Sequence, residues 1–190
     1  MRFPMLATPI VLALLPACIV SVRAKEARPM PTTPASIAPC LWFRSEAEEA
    51  LRFYVSVFEG ARIVSELRAG DGGPMPKGAF IAGRLALRGS ELMVLNGNPE
   101  PSFTHTNSVV VACANQAELD RYWTALTAGG KEIDCGWLQD KYGVVWQIVP
   151  DTLERMLADP DPAKAERAMA AMLTMKKFDF AALERAFAGQ

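Results

Sequence analysis

The stretch CGWLQDKYGVVWQIVP, Cys135 to Pro150, reads as a β-hairpin. Trp137 to Gln139 and Val144 to Val149 have strand composition, and Asp140-Lys141-Tyr142-Gly143 supplies the turn, with glycine free to take a positive φ. Pro150 ends the second strand because it has no N–H to give the ladder. Gln147 is a polar residue inside the apolar run VVWQIV, so it must find a partner or face a cavity or solvent. Trp137 and Gln139 share one face of their strand, and Gln147 points opposite to Trp146.

Working outward, a pattern recurs 70 residues apart. Ile37 to Phe43 is an apolar strand, and Ser45-Glu46-Ala47-Glu48 fits a capping box that opens a helix. Ala47, Ala50, Leu51, Tyr54 and Phe58 fall on one helical face, and Gly60 stops the helix. The pattern returns with a strand at Asn107 to Cys113 and a second cap at Asn115, with Glu118 three positions on. The apolar face is then Leu119, Tyr122, Trp123 and Leu126; Gly130 corresponds to Gly60, and Ile133 to Ile63. Further strands are expected near Ala61 to Arg68, Ala79 to Arg88 and Glu91 to Asn96, with Gly70 to Pro76 as a loop between the first two. Two copies of strand–helix–strands imply an α+β fold of tandem βαβββ modules. After Pro150 the chain is helical, with Asp161-Pro162 and Asp179 as helix starts and an apolar stripe of Met169, Met172, Leu173 and Met175 that suits core or a subunit contact.

Several of these stretches resemble the PhnB-like branch of the vicinal-oxygen-chelate superfamily, often labelled 3-demethylubiquinone-9 3-methyltransferase. The hairpin is one. PCLWF at Pro39 to Phe43 followed by EAEEALRFYVSVF is similar to the branch's opening strand and helix, and LNGNP at Leu95 to Pro99 is similar to its LNGGP. DPDPAKAERAMAAMLTMKKFDFAALERAF, Asp159 to Phe187, resembles its C-terminal tail. The resemblance implies a glyoxalase-like domain over 37–150, with modules 37–97 and 107–150 enclosing a cup, a helical extension over 151–190, and a homodimer.

Composition is compatible with that fold. The chain has 190 residues, 51% of them apolar and 22% charged, with a formal net charge of −1, enough for one full core. Lys and Arg are scattered, so neither nucleic acid nor an anionic membrane is an expected partner. Residues 1–24 carry an apolar run from Met5 to Val22 behind Arg2, with Val22-Arg23-Ala24 as a cleavage site, and 25–36 is a proline-rich linker. Pro9 and Pro16 argue against a stable membrane-spanning helix. Two readings stand: export to the periplasm if translation starts at Met1, or a cytoplasmic protein if it starts at Met30. Of four cysteines, Cys40, Cys113 and Cys135 lie in the domain without CxxC spacing and read as buried thiols.

In metal-dependent members of the superfamily, His and Glu ligands stand on the first and last strands of the modules. This chain has one histidine, His105, and Gln147 stands where such a member has its last-strand Glu. A neutral amide is a poor substitute for a carboxylate ligand, so no metal site is expected. His105, in a polar turn, reads as an exposed residue or as a weak candidate general base at the mouth of the cup. No glycine-rich turn joins a strand to a helix, so S-adenosylmethionine binding is not expected and no cofactor is assigned. The candidate ligand-binding residues are Trp42, Phe43, Asn96, Asn98, Trp137, Gln139 and Gln147: aromatic walls with amides, suited to a small organic ligand. Metal-independent binding of such a molecule is the expected function. The alternative is a small-molecule enzyme of the same superfamily, lyase-, isomerase- or dioxygenase-like.

Overall fold

A computed structural model describes residues 37–97 and 103–190. The leader and linker readings over 1–36, and the candidate Asn98, lie outside the described residues. The first module runs β1 (Cys40–Phe43), α1 (Ala47–Val57), β2 (Arg62–Arg68), β3 (Phe80–Leu87) and β4 (Ser90–Asn96). The second runs β5 (Val109–Cys113), α2 (Gln116–Thr127), β6 (Lys131–Glu132), β7 (Trp137–Gln139) and β8 (Val145–Pro150). Each module forms a four-stranded sheet, in the orders β1-β4-β3-β2 and β5-β8-β7-β6. In both, the first strand pairs in parallel with the last and the remaining neighbours are antiparallel. The fold is therefore the α+β tandem βαβββ arrangement, followed by three helices, α3 (Leu153–Leu157), α4 (Pro162–Leu173) and α5 (Phe180–Ala188).

The two helix starts are built differently. Asn115 accepts from the Glu118 backbone N–H at 3.0 Å while Glu118 accepts from Ala114 N–H at 2.8 Å, a reciprocal cap displaced by one residue from the standard box. The box expected at Ser45 does not form. Glu46 is the N-cap and makes no side-chain cap bond, and Glu48 turns away to Arg52 and Arg68. Asn96, at the end of β4, supplies the cap instead: its Oδ1 accepts from Ala47 N–H at 2.8 Å and its Nδ2 donates to the Phe80 carbonyl at 3.2 Å.

One apolar core serves both modules. Leu51 and Tyr54 of α1 and its C-cap Phe58 pack with Leu119, Tyr122 and Leu126 of α2 and with Leu138, Trp146 and Ile148 of the second sheet. The rings meet across the seam: Tyr54 and Phe58 lie 5.1 and 5.3 Å from Trp146, and Phe58 lies 4.9 Å from Tyr122. At the centre of this seam stands Asp140, only 3% exposed. Its Oδ1 accepts from the backbone N–H groups of Tyr142 and Val144 at 2.9 and 3.0 Å. Its Oδ2 accepts from the Tyr54 hydroxyl and the Trp146 indole N–H, both at 2.8 Å. One carboxyl thus closes its own hairpin turn and ties α1 of the first module to β8 of the second.

The tail docks on the second module through a backbone latch. Cys135 and Gly136 N–H donate to the carbonyls of Met175 and Lys176 at 2.7 and 2.6 Å. Gln116 donates to the Phe178 carbonyl at 3.1 Å and accepts from Phe180 N–H at 2.9 Å. Phe178 is buried against Gly136, where any Cβ would strike its ring. Asp161 and Asp179 cap α4 and α5, and Arg167 donates to the carbonyls of Ala186 and Phe187 at the end of α5. The apolar stripe divides: Met172 and Met175 pack on the core, while Met169 and Leu173 are exposed. The thiols divide as well. Cys113 is buried as expected, but Cys40 is exposed on an edge strand and Cys135 is half-buried.

Burial pushes the Asp140 carboxyl above the usual range, opposed by the hydrogen bonds it accepts. A protonated Oδ2 still accepts from Trp146 while donating to Tyr54. An asparagine Nδ2 there cannot accept from Trp146, whose indole is a donor only. Asp140→Asn is therefore expected to lower stability by about 2 kcal/mol, and Asp140→Ala, which strands four donors, by about 3 kcal/mol or more. Urea unfolding at unchanged m-value is the measurement. A carboxyl with a raised folded-state pKa contributes stability that is full below its unfolded-state pKa and lost as pH rises through the folded one. That component of the pH dependence should be missing from Asp140→Asn.

Candidate functional site

Strand register sorts the side chains of each sheet into a helix face and an open face. In the first sheet, Leu41, Phe43, Leu92, Val94 and Asn96 share the face that α1 covers; Gly83, between them, leaves room for the Leu51 side chain. The open face carries two rows across the strands. One is Cys40, Met93, Arg84 and Ser65; the next is Trp42, Leu95, Ala82 and Leu67. Trp42 and Leu67 are 48% and 57% exposed, large apolar groups left in solvent by this chain alone. The Trp42 indole lies against Gly97, a position where any Cβ would collide with it.

In the second sheet, Val110, Gln147 and Trp137 form the row equivalent to Cys40, Met93 and Arg84. Gln139 and Val145 form the next row on the same open face. Gln147 Nε2 donates to the Ser108 hydroxyl at 2.8 Å, and Gln139 Nε2 donates to the Gly143 carbonyl of its own turn at 2.7 Å. Trp146, opposite to Gln147, is fully buried.

A cleft of about 910 Å³ lies between β5 and the start of β1 with the β3–β4 turn, and Trp42, Arg84, Trp137, Gln139 and Gln147 are outside its lining. Cys40 and Glu91 line it from the first sheet, Ser108, Val110 and Val145 from the second, and Phe58, Phe103 and Trp146 form its apolar floor. That volume is within the range of small-molecule sites. Glu91 is the one carboxylate on the open face of the first sheet, in register with Ala86 and two residues from Met93. Its Oε2 stands 3.5 Å from Arg84 Nη1.

The candidates read from sequence therefore separate. Trp137, Gln139 and Gln147 come together on one open face, and Trp42 stands on the other. Phe43 and Asn96 do not join them. Phe43 is buried on the helix face against Phe103, at 5.2 Å, and Asn96 spends its amide on the α1 cap. The physical reason is parity: β1 and β4 alternate, and an asparagine able to cap a helix is held there by two bonds rather than by a ligand. His105 lies in the exposed turn ahead of β5 and outside the cleft lining. Arg84, Glu91 and Ser108 did not stand out in the sequence. The signal for the first two was present: a charged residue in each of the apolar runs FIAGRLAL and SELMVL.

No three His, Cys, Asp or Glu side chains converge to hold a metal ion among the described residues. The open-face positions of β1, β4, β5 and β8 are Cys40, Trp42, Met93, Leu95, Val110, Ala112, Val145, Gln147 and Val149, with Glu91 as the single hard anionic donor. That set does not fit a hard divalent ion. Among the described residues, no helix is long and apolar enough to cross a membrane.

The model of the 3-demethylubiquinone-9 3-methyltransferase family matches residues 35–149, more than half of the chain. The chain belongs to this family. A PhnB protein from Bacillus cereus, described as a putative 3-demethylubiquinone-9 3-methyltransferase, is 34% identical with a TM-score of 0.56, covering 61% of this chain and 98% of its own. A Pseudomonas aeruginosa protein of known crystal structure is 25% identical with a TM-score of 0.52, covering 62% of this chain and 97% of its own. None of the curated proteins matches. The family match stops at 149, so the helices that follow, read from sequence as the branch's tail, lie outside it. The fold is the vicinal-oxygen-chelate arrangement of this PhnB-like branch.

The thiols give a direct check on the two faces. Burial raises the Cys113 thiol to about 12, and its side chain is enclosed behind α2. Iodoacetamide on the native protein at neutral pH should alkylate Cys40 and leave Cys113 intact, read by peptide mass mapping. Labelling of Cys113 at the same rate as Cys40 would contradict this assignment of faces.

Proposed function

We propose that this PhnB-like protein binds a small organic molecule without a metal ion, on the open faces and the cleft at their edge. The observation that carries the reading is the make-up of those faces. Trp42 and Leu67 on one face, and Val110 and Trp137 beside the Gln147–Ser108 pair on the other, give exposed or half-buried apolar surface, and among the described residues no ligand set for a divalent ion accompanies them. Apolar walls with a few fixed polar groups are the usual chemistry of a small-molecule site. The exposed apolar side chains of Trp42, Leu67 and Val110 on these faces also favour a homodimer in which the open faces of two copies meet.

The methyl transfer in the family's name is not part of the proposal. A nucleotide-derived cofactor is cradled by a glycine-rich turn from strand into helix. The three such turns among the described residues, Arg44-Ser45-Glu46, Ala114-Asn115 and Asp151-Thr152, contain no glycine.

The test is a thermal-shift screen of the full chain against small aromatic and aliphatic compounds, run in chelator and again with divalent metals. Binding to the native state alone must raise the melting temperature. Stabilisation in chelator is expected, with affinity reduced roughly tenfold or more in Trp137→Ala. Stabilisation seen with metal alone would overturn the proposal.

A further inference from the structure

Resting on that reading, we propose that Arg84 is an oxyanion subsite, so that the ligand is an organic anion, a carboxylate or a phosphonate, attached to an apolar body. Arg84 Nη1 is a buried side-chain donor without a hydrogen-bond partner, and among the described residues it stands alone in that respect. A buried N–H left unpaired is costly, and native structures rarely leave one without a reason. Its position gives the reason. Arg84 sits mid-strand on β3, on the open face, between Ser65 and Met93.

The neighbouring carboxylate does not use the guanidinium up. Glu91 Oε2 is 3.5 Å from Nη1, whereas a charge-assisted hydrogen bond is about 2.7–2.9 Å long. Glu91 is almost wholly buried and the Arg84 side chain about one quarter exposed, so Nη1 is enclosed beside Glu91 while the rest of the side chain reaches the open side. Arginine presents five donors in a planar fork, which matches two oxygens of a carboxylate or phosphonate at once. The charge also reaches the edge strand. Burial raises the Cys40 thiol, and Arg84 is the group that opposes it.

The adjacent row defines the rest of the ligand. Trp42, Leu95, Ala82 and Leu67 lie one step along the strands from Arg84, on the same face. A molecule with its oxyanion on Arg84 lays its apolar part along the exposed side chains of Trp42 and Leu67, which flank the buried Ala82. Binding would pair the orphan N–H and cover apolar surface in one step, which is how a site discriminates against a ligand lacking the polar group.

The experiment uses the full chain in chelator at neutral pH, with phenylacetate and phenylphosphonate as probes and phenylacetamide as the neutral counterpart. Calorimetric or thermal-shift titration should give oxyanion affinities at least about tenfold above the amide. Arg84→Met should erase that preference. Arg84→Lys, which keeps a charge beside Glu91 but not the fork, should retain a reduced preference and guards against a folding defect in the first variant. Comparable binding of phenylacetamide overturns the subsite and leaves small-molecule binding on the open face standing. An oxyanion preference unchanged in Arg84→Met also overturns it. So does the absence of any shift with both oxyanions, in which case the neutral compounds alone decide the wider reading.

Discussion

The buried carboxyl of Asp140 is the constraint on which the two-module arrangement depends. A turn aspartate commonly satisfies its own backbone, and Oδ1 does so here with Tyr142 and Val144. Oδ2 is committed to Tyr54 on α1 and Trp146 on β8, so the hairpin turn of the second module is bonded directly to α1 of the first. Burial and the adjacent carboxyl in turn hold the Tyr54 hydroxyl well above its ordinary pKa, keeping it a donor. The aromatic contacts of Tyr54, Phe58 and Trp146 supply apolar burial around this polar centre but have little directionality. The four hydrogen bonds supply the direction. A buried polar network satisfied at every member is a means of specifying one packing among several apolar alternatives.

The repeat was legible because it is written in local chemistry. Helix faces recur at 3.6-residue spacing and strands at period two, and the offset of 70 places α1 on α2 and β1 on β5 to within a residue. What was not legible is non-local. The capping box at Ser45 has the right residue types, yet Glu48 finds arginines of α1 and β2, and the cap arrives from Asn96 at the far end of the module. Gly130 shows the same limit. It was matched to Gly60 as a helix stop, but the left-handed residue is Gly129, and Gly130 is required because the Gln139 carbonyl passes where a Cβ would be.

The candidate site was half legible for a related reason. Parity within the quoted hairpin correctly separates Gln147 from Trp146, since both residues belong to one strand. Parity within β1 equally separates Trp42 from Phe43, but which of the two faces the helix depends on the partner strand: Phe43 is in register with Asn96, whose side chain is bound to α1. An aromatic pair and an asparagine therefore looked like site residues until the cap fixed their face. Arg84 and Glu91 were passed over because each lies in a run otherwise apolar, where a charge reads as an interruption of the strand rather than as its purpose.

The two open faces carry related rows with their polar member in different places. In the second sheet the row is Val110, Gln147 and Trp137, polar on the last strand and aromatic on the hairpin partner. In the first it is Cys40, Met93 and Arg84, thioether on the last strand and cation on the partner. Each half thus keeps one strong hydrogen-bonding group beside an adaptable apolar neighbour, with the neutral amide on one side and the charge on the other. Gln147 is already occupied by Ser108, whereas Arg84 Nη1 is not occupied. A cationic donor without a hydrogen bond attracts an acceptor more strongly than a satisfied amide does. The two open faces therefore differ in polarity, the first module presenting a cation and the second a neutral amide that is already bonded.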